Sequence, residues 1–125
     1  MARIRTIKPS FWSDAGVARL SRDARLLALG LISFADDEGR FIASLPAIRG
    51  YVYPHDEDVT DAKVKRWIGE IAKHLRLELY SVDGLPYGQW ERFVRTPSQK
   101  DGHQVIQHPQ SSTLPPPPAD GLFDA

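Results

Sequence analysis

The side chains that come closest to metal or acid–base chemistry in this chain are four histidines, His55, His74, His103 and His108, and two carboxylate runs, Asp36-Asp37-Glu38 and Asp56-Glu57-Asp58. The histidines have no metal-ligand spacing such as HExxH, and with no cysteine in the chain nothing completes a zinc site. The acidic runs lack the alternating ligands and the downstream bidentate glutamate of a calcium loop, so they read as solvated turn carboxylates. A nucleophile–base–acid set, a phosphate-cradling glycine loop and a paired acid are all missing. The expectation is a non-enzyme with neither cofactor nor metal.

The cationic residues carry more information. The chain holds 16 Lys+Arg and 16 Asp+Glu, yet residues 1–25 alone contain Arg3, Arg5, Lys8, Arg19, Arg22 and Arg25 against Asp14 and Asp23. A basic segment of this kind faces a polyanion most readily, while the zero net charge argues the other way, because strong nucleic-acid binders are usually basic as a whole.

A second cationic set sits on a helix. In TDAKVKRWIGEIAKHL, residues 60–75, Thr60 is placed to cap and Val64, Trp67, Ile68, Ile71 and Leu75 recur at helical spacing as a narrow apolar stripe that must face a core. Trp67 lies on that stripe and reads as core. The opposite side carries Ala62, Arg66, Gly69, Glu70 and Lys73, with Lys63 nearby. Small residues among basic ones let a helix backbone approach a rigid surface. A helix meant only for solvent seldom uses glycine, which costs roughly 1 kcal/mol against alanine. The two readings of this face are DNA contact and plain solvation.

The elements around that helix can be placed from local signals. Ser21 caps a helix whose apolar residues Ala24, Leu27, Leu31 and Phe34, widened by Leu26, Leu29 and Ile32, imply that it is nearly surrounded; Gly39 ends it in a turn. Residues 40–44 form one short strand, and Pro46 opens a short helix running to about Tyr51. Leu77–Val82 and Leu85–Trp90 flank Asp83-Gly84, a hairpin signal. The hairpin tip offers Asp83, Leu85 and Pro86 and no Lys or Arg. Phe11 and Trp12 either anchor the N-terminal arm or stack on bases. The predicted fold is α+β, a winged helix-turn-helix of three helices and a β-hairpin wing over residues 1–95.

From Thr96 onward the composition turns to Pro, Gln, Ser and Gly, with prolines at 115–118, so residues 96–125 are expected to be extended or disordered. Leu122 and Phe123 near the end form an apolar dipeptide in an acidic setting, either a docking peptide that loosely resembles sliding-clamp-binding motifs or an incidental end. The N-terminus lacks the apolar core of a secretory signal, and the longest apolar run, broken by Gly30 and Ser33, is short of a membrane span. With no cysteine, a reducing cytosol is permitted. No membrane association is expected.

The opening MARIRTIKPSFW, the segment ARLSRDARLLALGLISFADDEGRF and the spaced HQVIQHPQSSTLPPPP together resemble the N-terminal domains of bacteriophage replication initiators or replisome organisers, the helix-turn-helix DNA-binding proteins of actinobacterial phages. The resemblance spans Met1 to Pro118. It implies a winged helix that binds double-stranded origin DNA in the cytoplasm of the bacterial host, joined to a region that recruits the replicative helicase or its loader. It also implies DNA-facing roles for Arg3, Arg5, Lys8, Arg66 and Lys73. The chain departs from that pattern at His74-Leu75-Arg76-Leu77, where relatives place a glycine, and at Gln107, His108 and Thr113, where relatives are often basic. Two other readings stay open: an adaptor that binds a replication protein (helicase, loader or sliding clamp), and a transcriptional regulator, either of them as monomer or homodimer.

Overall fold

The computed structural model describes residues 3–100 and 102–119. The fold is α+β, with five helices and a small antiparallel sheet among the described residues. Two single-turn helices, α1 (Ser10–Ser13) and α2 (Ala15–Ala18), precede the long helix α3 (Arg22–Phe34). Strand β1 (Arg40–Ile42), helices α4 (Leu45–Val52) and α5 (Asp61–His74), and strands β2 (Leu77–Val82) and β3 (Leu85–Trp90) follow.

Each long helix starts at the residue that can satisfy its first free amides. Ser21 accepts from the Ala24 amide, Ser44 from Ala47 and Thr60 from Lys63, and Pro46 occupies the first turn of α4, where no amide hydrogen is needed. Val64, Trp67, Ile68 and Ile71 of α5 are buried, as the stripe requires, against Ala24, Leu27, Ala28 and Leu31 of α3 and Ile48 of α4. As expected, α3 is nearly surrounded: from Ala24 to Phe34 only Leu26, 50% exposed, stands open, and the other residues are buried or half-buried.

The hairpin forms as its turn residues dictate. Asp83 (φ 53°) and Gly84 (φ 79°) both take positive φ, the requirement of the tight turn whose twist matches the strands. The sheet order is β1-β3-β2, with Arg40, Phe41 and Ile42 opposite Gln89, Gly88 and Tyr87. Gly88 is a packing glycine: a Cβ there would lie 2.3 Å from the Phe41 ring, which is buried against β3.

The C-terminal segment is extended, one of the two states expected, but it is docked on the domain rather than separate from it. Short parallel strands β4 (Val94–Arg95) and β5 (Gln104–Val105) pair across the boundary expected at residue 95. The Gln104 side chain is buried; its carboxamide accepts from the Thr6 amide and donates to the Thr6 carbonyl, each at 2.8 Å. Further on, the Arg40 guanidinium donates to the Leu114 carbonyl at 3.2 Å and the Tyr80 hydroxyl to the Pro115 carbonyl at 2.7 Å. Residues 102–119 are therefore extended but not disordered. They build no core of their own and are held by polar groups of the N-terminal arm, the Asp36-Asp37-Glu38 turn and the sheet. No described helix is long and apolar enough to cross a membrane.

Candidate nucleic-acid interface

Helix α5 turns its second face outward. Ala62, Lys65, Arg66, Gly69 and Lys73 are all exposed, and a Cβ built at Gly69 would meet nothing within 4 Å. Lys65, Arg66 and Lys73 form no ion pair among the described residues. Glu70, expected on this open face, is instead engaged: its carboxylate accepts from the Ser21 amide at 3.0 Å and the Ser21 hydroxyl at 3.1 Å. That contact locks the start of α3 beside α5 and sets the exposed Arg19 and Arg22 on either side of the junction. Arg19 and Arg22 belong to the basic segment expected to face a polyanion, but their nearness to α5 depends on the Ser21–Glu70 contact, between residues 49 apart in the chain.

The N-terminal arm behaves differently from its expected role. Asp37, only 5% exposed, accepts from Arg3 through Nε at 3.0 Å and Nη2 at 2.9 Å, and from Arg5 Nη1 at 2.9 Å. Arg5 also donates to the Ala35 carbonyl at 2.8 Å, its guanidinium lies 5.2 Å from the centre of the Phe93 ring, and its side chain is 4% exposed. A guanidinium so enclosed cannot reach a phosphate, so Arg5 leaves the DNA-facing set. Arg3, 44% exposed, is committed to Asp37 by two hydrogen bonds, and that pairing raises its pKa.

The acidic corner is likewise not the solvated turn the sequence implied. Burial pushes the Asp37 carboxyl up, but the donors Arg3, Gln110 and Arg5 outweigh it and hold the pKa at about 2. The Gln110 amide donates to Asp37 at 2.9 Å, and Ser112 donates to Glu38 through its amide and to Asp36 through its hydroxyl. One turn thus clamps both the N-terminal arm and the C-terminal segment.

The remaining site residues separate. Lys8 is exposed and shares a cavity lining with His74 and Arg76, at the end of α5. Lys63 is partly covered, its ammonium donating to the Asp58 carbonyl at 2.8 Å. Leu122 and Phe123 lie outside the described residues. Phe11 packs against the core edge while Trp12 stands out from it, the two rings in T-shaped contact. Among the described residues no three His, Cys, Asp or Glu side chains gather as a metal site. No protein-family model, curated protein or solved structure significantly matches the chain.

Proposed function

We propose that the chain is a winged helix-turn-helix module that binds double-stranded DNA, of the replication-initiation type that its sequence resembles. The observation that carries the proposal is the outward face of α5, where Lys65, Arg66 and Lys73 surround an unobstructed Gly69. The order α3-β1-α4-α5-β2-β3 with strands arranged β1-β3-β2 supports the winged reading, since it leaves α5 free to enter a major groove with the β2–β3 hairpin as the wing. Arg19 and Arg22 extend the cationic surface toward the phosphates flanking that groove.

If these five side chains neutralise about five phosphates, the logarithm of affinity falls with the logarithm of salt at a slope of roughly −4 to −5. Anisotropy of a labelled duplex titrated with the full chain between low and physiological ionic strength measures it. Arg66→Ala with Lys73→Ala weakens binding by about 1–3 kcal/mol. An affinity indifferent to both salt and this pair of substitutions removes α5 as the DNA face.

The hairpin tip favours a second reading. Leu85 is exposed beside Asp83 with no basic residue at the turn, which suits a protein surface better than a phosphate backbone. An adaptor for a replication protein would use that tip and show no dependence on Arg66. A transcriptional regulator would use α5 as proposed and differ only in the DNA site it reads.

A further inference from the structure

One face of the three-stranded sheet turns Phe41, Leu77 and Trp90 into the core. Alternation along the strands puts Arg40, Ile42, Tyr80, Tyr87 and Gln89 on the other, with Tyr87 directly opposite both Ile42 and Tyr80. Tyr87 is only 8% exposed although it does not belong to the core cluster, and the Tyr80 ring stacks on it with centroids 5.7 Å apart.

The segment that meets this face begins at Leu114-Pro115 and continues through prolines to Pro118. Consecutive prolines have no amide hydrogen to give, and the extended helix they favour makes no internal hydrogen bonds. A surface that binds such a segment must therefore donate to its carbonyls and offer flat apolar area to its rings. The outer face of the sheet does both. Arg40 donates to the Leu114 carbonyl and Tyr80 to the Pro115 carbonyl, while the stacked tyrosines supply the aromatic area. The Arg40 donor is held in place from behind: its Nε donates to the Gln89 carboxamide oxygen at 2.7 Å, and the Gln89 nitrogen donates to the Glu38 carbonyl at 2.6 Å. Leu114, Pro115 and Pro117 are half-buried and Pro116 and Pro118 exposed, so the segment lies with one side against the protein.

This resident segment leaves part of the site open. Beside Leu114 a cavity of about 350 Å³ is lined by Phe34, Ile42 and Tyr51, of which Ile42 is 45% and Tyr51 43% exposed. An aromatic surface with fixed donors, next to a partly filled apolar slot, matches a proline-rich peptide led by an apolar residue.

We propose that the outer face of the sheet is a recognition surface for proline-rich peptides led by an apolar side chain, occupied here by the chain's own residues 114–118. The surface lies on the sheet and not on α5, so the proposal stands or falls apart from DNA binding.

The probe is a synthetic peptide of residues 113–119, titrated into the isotope-labelled full chain and followed by the amide NMR signals of Arg40, Tyr80 and Tyr87. In Pro115→Gly with Pro117→Gly, both in the segment itself, the tethered ligand is loosened because glycine gives up more freedom on docking. Saturable binding of one peptide per chain is expected in that variant, with shifts at those three residues. In the wild-type chain the tethered segment competes, and affinity is at least about tenfold lower. Adding Tyr80→Phe, which keeps the ring and removes the donor to Pro115, weakens binding about threefold to tenfold. Arg66→Ala with Lys73→Ala leaves it unchanged, and a peptide with glycine at all four proline positions does not bind. No saturable binding to the glycine variant overturns the proposal. So does equal affinity in the wild-type chain, equal binding of the all-glycine peptide, or indifference to Tyr80→Phe.

Discussion

Asp37 joins three separate parts of the chain, because two arginines and a backbone amide converge on one buried carboxylate. Removing one partner of such a cluster is costly when the other stays buried: Arg5 is covered and would keep its charge without a counterion, whereas Arg3 could return to water. Asp37→Asn is therefore expected to cost more stability than Arg3→Ala, by urea denaturation at neutral pH. The carboxyl also sets a pH dependence. Its folded pKa of about 2 lies below the ordinary 3.8, so the native state binds this proton less readily than the unfolded chain does. The resulting stabilisation, about 2 kcal/mol, is present above pH 4 and is lost as pH falls toward 2. The stability difference between the wild-type chain and Asp37→Asn is thus large at pH 5 and small near pH 2. A difference of equal size at both pH values would refute this role for the carboxylate.

At the scale of the elements, Gly69 separates what helps the helix from what helps the interface. Nothing lies within 4 Å of the missing Cβ, so Gly69→Ala fits without a clash and is expected to raise stability by up to about 1 kcal/mol through helix propensity alone. If α5 lies in the groove with its backbone close to DNA, the same methyl group weakens duplex binding, and stability and affinity move in opposite directions. Melting temperature and duplex affinity measured on one variant decide it; a gain in both means that the backbone does not approach DNA at this point. These elements were legible in the sequence because each long helix pairs a cap with an apolar stripe, and Asp83-Gly84 punctuates the hairpin between two apolar runs. Helices α1 and α2, of four residues each, and strands β4 and β5, of two, are shorter than any window in which a period can be read. The acidic corner escaped for another reason. Its partners lie 34 and 73 residues away along the chain, and polar contacts at such distances leave no local pattern. The outward placement of Arg66 and Lys73 could be read from periodicity, while the enclosure of Arg5 could not, since it depends on Asp37, Ala35 and Phe93 arriving together.

Across the whole molecule, the segments 3–6 and 104–112 are tied to one turn and to each other. Arg3 and Arg5 hold the N-terminal arm to Asp37; Gln110 and Ser112 hold the C-terminal segment to Asp37, Asp36 and Glu38; and Thr6 with Gln104 joins the two segments directly. Arm and tail are thus expected to loosen together, as a unit of lower stability than the helical core. The segment from residue 102 buries few side chains, chiefly Gln104 and Ile106, so its attachment rests on hydrogen bonds that a single substitution can weaken. Amide hydrogen exchange of the intact chain tests this. The amides of Gln104, Ile106, Gln110 and Ser112, each donating to a defined acceptor, exchange more slowly than an unfolded peptide, and more slowly than the exposed Ser111 and Thr113 on either side of Ser112. In Asp37→Asn, exchange accelerates at Gln110 and at the Thr6 amide together, while Val64, whose amide bonds to the Thr60 carbonyl within the first turn of α5, and Ile68 in its interior keep their protection. Tail amides exchanging at the unfolded rate in the wild-type chain would show that no strap forms. Acceleration at Gln110 without any at Thr6 would show that the two ends are fastened independently.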